Sequence, residues 1–349
     1  MRIESLTQDV RYALRGIRRS PLFGMSVAGT IGLGLGVLCS AFTIVNAYLL
    51  KPIDLPSPHE LYALSWDTPG ERRHGFRLVD FEAARTDNPM FSDLAAGAGV
   101  TVMHDAIPLA GQIVSGNYFE LLGARPLLGR TILPDDVTAP GARAVVVLSH
   151  DAWQSRFGAN PGIVGTQVTL GQQRFEVVGV VRPEFVLPGD ETVAFWAPLT
   201  MAGAFAIADP WRQPHIASLG IVGRLRGGAT EQQARSWFDA WLRQRFPPTS
   251  DASPIAVRVE SRATRIPLND GTLTIVTLTV AAFGLVLLVA CANVINMMLA
   301  RTLSRQRELT VRLALGASRG RVLRQLTIES LVLAVPAAML GLEIGRAHV

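Results

Sequence analysis

At 349 residues the chain has room for one or two domains, and a hydrophobic content of 49% with a mean hydropathy of +0.29 makes it too apolar for an average soluble enzyme. Of its 33 lysines and arginines Lys51 is the only lysine, and its neighbours Leu50 and Pro52 exclude a phosphate-cradling G-x-x-x-x-G-K-[ST] loop. The pI near 9.8 comes with no nucleic-acid motif, and Cys39 and Cys291 both sit inside apolar runs, which excludes a disulfide framework or a paired-cysteine metal site.

Residues 5 to 19 place Leu6, Val10, Ala13, Leu14 and Ile17 at helical spacing, with Arg11, Arg15, Arg18 and Arg19 on the remaining surface. This predicts an interfacial helix. Ser20 and Pro21 then read as an N-cap and a first helical position, and no charge follows until Lys51. The uncharged stretch is far longer than a signal h-region and predicts transmembrane helix one. Gly24, Ala28, Gly32, Gly36 and Ser40 recur at every fourth position, a small-residue stripe suited to close contact with another helix.

From Ile53 to Asp270 the pattern changes to short strands, turns and a few amphipathic helices. Ala144 to Leu148 predicts a strand, Ser149 a cap for a short helix carrying Trp153 and Phe157, and Val168 to Val181 a hairpin turning at Gly171-Gln172. Thr230 with Gln233 fits a capping box. Ala234, Trp237, Phe238, Trp241 and Leu242 then line one helical face and are expected in the core. Ile255 to Val259 predicts a strand that brings the chain back toward the membrane. The segment is expected to be a water-exposed α+β domain.

Charges stop at Gly271 and resume at Arg301, which predicts transmembrane helix two, with Asn293 and Asn296 on one face where amides can hydrogen-bond across helices. Beyond it, RTLSRQRELTVRLALGASRGRVLRQLTIES is a strongly basic, helix-patterned segment between two apolar runs. Arg301, Arg305, Glu308 and Arg312 fall within one narrow stripe at 100° per residue, and Glu308 precedes Arg312 by four. Gly316 suits the left-handed position that ends a helix, and Ser318 a cap for the next. A third apolar stretch from about Leu331 to Leu342 reads as too short to span a membrane. The last seven residues, Glu343 to Val349, match the translation of a common sequencing adapter and are expected not to derive from the gene.

Five arginines precede helix one and seven lie between Arg301 and Arg324. The positive-inside rule then puts both flanks in the cytoplasm and the 52–270 domain outside. Catalysis finds no support. Ser149-His150-Asp151 has the residue types of a hydrolase triad, but adjacent residues cannot orient one another, and no metal spacing joins the histidines. Asp135-Asp136 and Glu71-Arg72-Arg73 read as solvated turns.

The chain resembles the MacB/FtsX-type ABC transporter permeases from about Leu6 to Leu342, most of all duplicated members that lack a fused ATPase domain. The resemblance rests on DVRYALRGIRRSP before helix one, VNAYLLKPIDLPSP after it, and VSGNYFELLGARPLLGR and VLSHDAWQSRFGANPGIVGTQVTLGQQRFEVVGVVRPEF in the outer domain. The closing FWAPL and CANVINMMLARTLSRQRELTVRLALGASRGRVLRQLTIES complete it. IVGRLRGGAT is more glycine-rich than the family pattern, and the second half of a duplicated permease is missing.

The resemblance implies a membrane protein of α-helical transmembrane segments with a large α+β extracytoplasmic domain inserted between helices one and two. The expected parts are an interfacial helix (1–20), transmembrane helix one (21–51), the outer domain (52–270) and transmembrane helix two (271–300). A coupling helix and hinge (301–318), the start of transmembrane helix three (319–342) and the adapter-like tail (343–349) follow. Carried over by position, the coupling helix spans Arg305 to Leu315, with Arg305, Arg307, Glu308, Arg312 and Leu313 facing an ATPase or lipid headgroups. Gly316, Ala317 and Ser318 form its hinge, and Arg319 counts with the residues that couple to the ATPase. The implied partners are a cytoplasmic ABC ATPase carrying ATP and Mg, a second permease unit (a homodimer or a fused second half), the bilayer, and an extracytoplasmic adaptor in some family members. No cofactor is expected on this chain. The implied location is the bacterial inner membrane, and the implied task efflux or lipoprotein or peptide export. A non-transporting transmembrane activator of the FtsX kind and an extracytoplasmic sensor are the alternatives.

Overall fold

The computed structural model describes residues 11, 15, 18, 20–68, 71–104, 107–185, 193–205, 219–246, 256–264, 266, 270–315 and 318–346. It divides into two compact units, Met1–Tyr48 with Asp270–Val349, and Leu49–Asn269. Arg11, Arg15 and Arg18 are helical and exposed. Helix α1 (Pro21–Val45) opens with proline in its first turn, where the missing N–H breaks no intrahelical bond. A π-helical turn, Asn46–Leu50, extends it.

The second unit, which the sequence reading places outside and which is called the outer unit below, carries eleven strands and four α-helices among its described residues. In chain order these are β1 (Leu61–Thr68), β2 (Glu71–His74), α2 (Leu78–Asp87), β3 (Phe91–His104), β4 (Ile107–Val114), α3 (Tyr118–Leu122) and β5 (Pro126–Gly129). β6 (Val145–Leu148), α4 (His150–Arg156), β7 (Gln167–Leu170), β8 (Gln173–Val181), β9 (Phe195–Pro198), β10 (Gly220–Leu225), α5 (Glu231–Arg245) and β11 (Ala256–Ser261) follow. One sheet takes the order β11-β1-β10-β3-β4-β9-β6-β8-β5, with β2 on β1 and β7 on β8. β4 pairs with β9, and β6 with β8, in parallel; the other pairs are antiparallel. Glu71-Arg72-Arg73 is therefore strand, not turn, because β2 adds to the edge of β1.

Successive side chains of a strand point to opposite faces, and here both faces are covered. Leu94, Ala96, Val146, Leu148, Phe195 and Ala197 join one buried cluster with α2 and α5, and Ala95, Val145, Val147 and Trp196 join another with Phe119 and Leu122 of α3. That double burial explains the unbroken apolar run of β6. The sheet bends where β8 meets both β5 and β6 irregularly, around Gly179. A Cβ there would fall on the Arg130 carbonyl oxygen.

The caps expected from sequence are present. Ser149 Oγ accepts from Ala152 N (3.2 Å), so this hydroxyl serves helix α4 and not a nucleophile's role. Thr230 and Gln233 exchange both bonds of a capping box at 2.9 and 3.3 Å. Trp241 and Phe238 of α5 are buried and Trp237 packs at the margin, beside Trp66, Phe76 and Phe91. Asp136, expected in a solvated turn, is 1% exposed. Its carboxylate takes bonds from Arg130 (2.5 and 3.0 Å), Arg143 (3.1 Å) and the Leu133 amide (3.0 Å), which is what allows a charge to sit there.

The helical unit continues with α6 (Asp270–Ser304), α7 (Gln306–Ala314) and α8 (Arg319–Arg346). Pro21–Leu50, Gly271–Ser304 and Gly320–Met339 are each long and apolar enough to cross a membrane. The last corrects the expectation of a run too short to span. Helix α8 begins twelve residues before Leu331, and its early polar residues are too few to stop the whole length from qualifying.

α1 packs against both α6 and α8. Gly24, Gly32 and Gly36 are buried, while Ala28 and Ser40 are half-buried, and Ser40 Oγ donates back to the Gly36 carbonyl (2.9 Å). Gly34, outside that stripe, meets α6: a Cβ on it would lie 3.3 Å from Ala290 Cβ and 3.8 Å from Leu287 Cδ1. Asn293 and Asn296 lie exposed on the surface of this unit, and the contact of Gly34 on α1 with α6 runs through Leu287 and Ala290. Gly34→Leu is expected to cost about 2 kcal/mol of helix packing, read as a lower unfolding temperature in detergent. Gly29→Leu, at a position with nothing within 4 Å of a Cβ, serves as the control and should have little effect.

Candidate functional site

α6 runs on to Ser304, past the end expected for transmembrane helix two, and a separate short helix follows it. Thr302 Oγ1 donates to Met298 O (2.9 Å) and Ser304 Oγ to Arg301 O (2.8 Å), while Arg305 N donates to Thr302 O in a tightened turn (3.2 Å). Hydroxyls that compete for the last carbonyls favour a break, and the helix ends at Ser304 and restarts at Gln306. The stripe is thereby split. Arg301 stays on α6, Arg305 occupies the turn, and Arg307, Glu308, Arg312 and Leu313 fall on α7.

The break turns two of these arginines onto α8. Arg301 Nη2 lies 3.0 Å from Glu329 Oε1, and Arg305 Nη1 lies 3.7 Å from the same oxygen. The Arg301 guanidinium also stacks over the Phe23 ring of α1, 4.3 Å from its centroid. With Arg301 10% and Glu329 12% exposed, the group joins three helices through one largely buried ion pair and one aromatic ring. Arg305 is therefore engaged within the chain, a role its position in the stripe did not reveal. Between α1 and α6 the same residues border a groove of about 500 Å³, lined by Ser20, Phe23, Met297, Ala300, Arg301, Ser304 and Arg305.

α7 presents the opposite character. Arg307 and Thr310 are exposed, as are Val311 (57%) and Leu315 (83%), four residues apart on one face. The side chains of Glu308, Arg312, Leu313 and Arg319, and the whole of Gly316 and Ala317, lie outside the described residues. Ser318 accepts backbone bonds from Arg321 (3.0 Å) and Val322 (3.3 Å) as α8 begins.

In the outer unit the two chain connections to the helices are bound to each other. Pro52 bridges Thr264, and Ile53 N donates to Ala263 O (2.8 Å). Arg224 then fixes the following loop, donating to Pro56 O (2.9 Å), Ser57 O (3.2 Å) and twice to Leu121 O (3.0 and 2.9 Å). The loop holds Ser57 at φ 46, a conformation unfavourable for a residue with a side chain. Among the described residues no three His, Cys, Asp or Glu side chains gather to hold a metal ion.

The family model of the MacB-like periplasmic core domain matches residues 27–240, and that of the FtsX-like permease C-terminal matches 280–347. The chain belongs to the MacB/FtsX-type permeases. It is 22% identical over 295 residues to a protein of Pseudomonas syringae pv. tomato named "Probable syringafactin export ATP-binding/permease protein SyfD", covering 78% of this chain and 42% of that one. It is 24% identical over 234 residues to "Macrolide export ATP-binding/permease protein MacB" of Escherichia coli (strain K12), covering 66% and 34%. A crystal structure of the periplasmic region of MacB from Actinobacillus actinomycetemcomitans aligns with a TM-score of 0.45 and 14% identity, over 58% of this chain and 89% of that one. The permease chain thus spans less than half the length of these curated relatives. Most of its β-rich unit, up to β10 and the larger part of α5, falls within the first match, and α7 and α8 fall wholly within the second.

Proposed function

We propose that this permease is the membrane subunit of an ABC transporter and passes ATP-driven motion of a separate ATPase to its outer domain. The observation that carries the reading is α7, a short helix between two candidate membrane spans whose Arg307, Val311 and Leu315 face outward. A basic surface with an apolar ridge is what a cytoplasmic protein groove would grip. By the arginine bias of the flanks, α7 and the chain's N-terminus lie in the cytoplasm of a bacterial inner membrane, and the outer domain is periplasmic or extracellular. Because Pro52 and Ile53 are bound to Thr264 and Ala263, movement entering by one chain connection would drag the other. Efflux or export of a lipoprotein or peptide is the proposed task, in keeping with the macrolide and syringafactin export in the relatives' names. A second permease unit would complete the transporter.

The test is the double variant Arg307→Glu with Arg312→Glu in the full chain, co-expressed with candidate ABC ATPases from the same genome. The wild type is expected to co-purify with one of them and raise its ATP hydrolysis. The variant should insert normally, by protease protection of the outer domain, while stimulation falls at least about tenfold, the loss of one or two interface anchors. Undiminished binding and stimulation would remove α7 from the coupling role.

A further inference from the structure

The geometry points to an anionic phospholipid site in the groove between α1 and α6, with Arg301 and Arg305 holding the phosphate and Phe23, Met297 and Ala300 meeting the acyl chain. The groove has the volume for a headgroup and the first part of a chain, about 500 Å³. Its polar and apolar parts are segregated as a lipid requires. Arg301 and Arg305 close one end, at the last turn of α6 and just beyond it, whereas Met297 and Phe23 lie one turn further into their apolar helices. Arginines at that depth belong at headgroup level.

Charge supplies the second argument. Arg305 reaches Glu329 only at 3.7 Å, with 38% of its own side chain exposed, while Arg301 holds the same oxygen at 3.0 Å. A bound phosphate would give Arg305 a partner at closer range and place an anion beside both guanidiniums. The hydroxyl of Ser304 is committed to the Arg301 carbonyl (2.8 Å), so the guanidinium of Arg305 is the main exposed donor at that end. Stacking on Phe23 holds Arg301 in place before any ligand arrives. Arg11, Arg15 and Arg18, exposed at helical spacing ahead of α1, add a basic surface that would enrich anionic lipid nearby. The site goes beyond the coupling role and does not depend on it.

The test uses the full chain in nanodiscs of equal parts phosphatidylglycerol and phosphatidylcholine, transferred to detergent, with native mass spectrometry of the lipid retained. The expected result is preferential retention of phosphatidylglycerol, reduced about fivefold by Arg305→Gln, the loss of one arginine's attraction. Met297→Phe, which keeps every charge and fills the apolar end, should reduce it as well, and it keeps the test open if Arg305→Gln fails to insert. Equal retention of the two lipids, or retention unchanged in both variants, would overturn the site. So would full displacement of the lipid by inorganic phosphate, which would identify a free-anion site in its place.

Discussion

Asp80→Ala is expected to destabilise the outer domain by about 3 kcal/mol, at the lower end for a buried charge pair broken on one side because the surviving partners stay partly wet. Asp80 is 1% exposed. It receives two bonds from Arg77 (2.6 and 2.8 Å) and one from Arg245 (2.5 Å), which joins the start of α2 to the end of α5 across 165 residues of sequence. The two arginines also lie over Phe246 and Trp241, so the acid holds down the edge of the aromatic cluster around Trp66. Removing it leaves two cations over an apolar floor. Urea unfolding of the full chain followed by tryptophan fluorescence would show the loss, since Trp66 and Trp241 report on this region. A midpoint within error of wild type would show that the arginines find water at no cost.

The same acid gives the loss a pH signature. Burial pushes the Asp80 carboxyl up, but the hydrogen bonds from Arg77 and Arg245 with their charges outweigh it and hold the group below the ordinary carboxylate range. Asp136 is lowered in the same manner, burial opposed by Arg130, the Leu133 amide and Arg143. A carboxyl depressed in the folded state contributes its full stability above the unfolded value, about pH 4, and loses it as pH falls through the folded value. Wild type and Asp80→Ala should therefore differ most at neutral pH and converge below about pH 4. A constant gap would point to packing, with charge playing no part.

Local features were legible in the sequence because they depend on neighbours in the chain. The Ser149 cap, the Thr230 and Gln233 box and the Gly171 turn each involve residues within four positions, and Gly171 takes the positive φ that its turn demands. What could not be read depends on contacts that close over long loops. The parallel pairing of β4 with β9 joins strands about eighty residues apart, and no periodicity within either one specifies the other. Asp136 looked like a turn acid because it follows Pro134 and Asp135; the available signal was Arg130 and Arg143 on either side of it. Arg305 sat in a convincing helical stripe, yet α6 ends at Ser304, where the hydroxyls of Thr302 and Ser304 bond carbonyls of its last turns. The small-residue stripe read on α1 did not include Gly34, which lies against a helix that the spacing alone could not orient.

Arg224→Ala should do comparable damage, about 3 kcal/mol, and should also disturb the passage of motion. Its guanidinium is the shared donor for Leu121 O, Pro56 O and Ser57 O, with Glu60 Oε2 at 3.3 Å. Truncation would strip those acceptors at once, and a carbonyl left unsatisfied in a partly buried place costs about 1–3 kcal/mol. Arg224→Lys should recover only part of this, since an ammonium cannot present a planar fork to several carbonyls. The loop it fixes follows directly from the Pro52 bridge to Thr264, so its release would leave the first connection joined to the second but no longer joined to the body of the sheet. In the transmission reading, ATP hydrolysis stimulated by the permease would then persist while outer-domain movement is lost. A pair of spectroscopic labels in the outer domain would measure that movement, with Arg85→Lys as a comparison, because Arg85 pairs with Asp93 in the same unit but holds no part of the loop. If labelled Arg224→Ala moved as wild type does on ATP addition, the loop would be a structural brace alone.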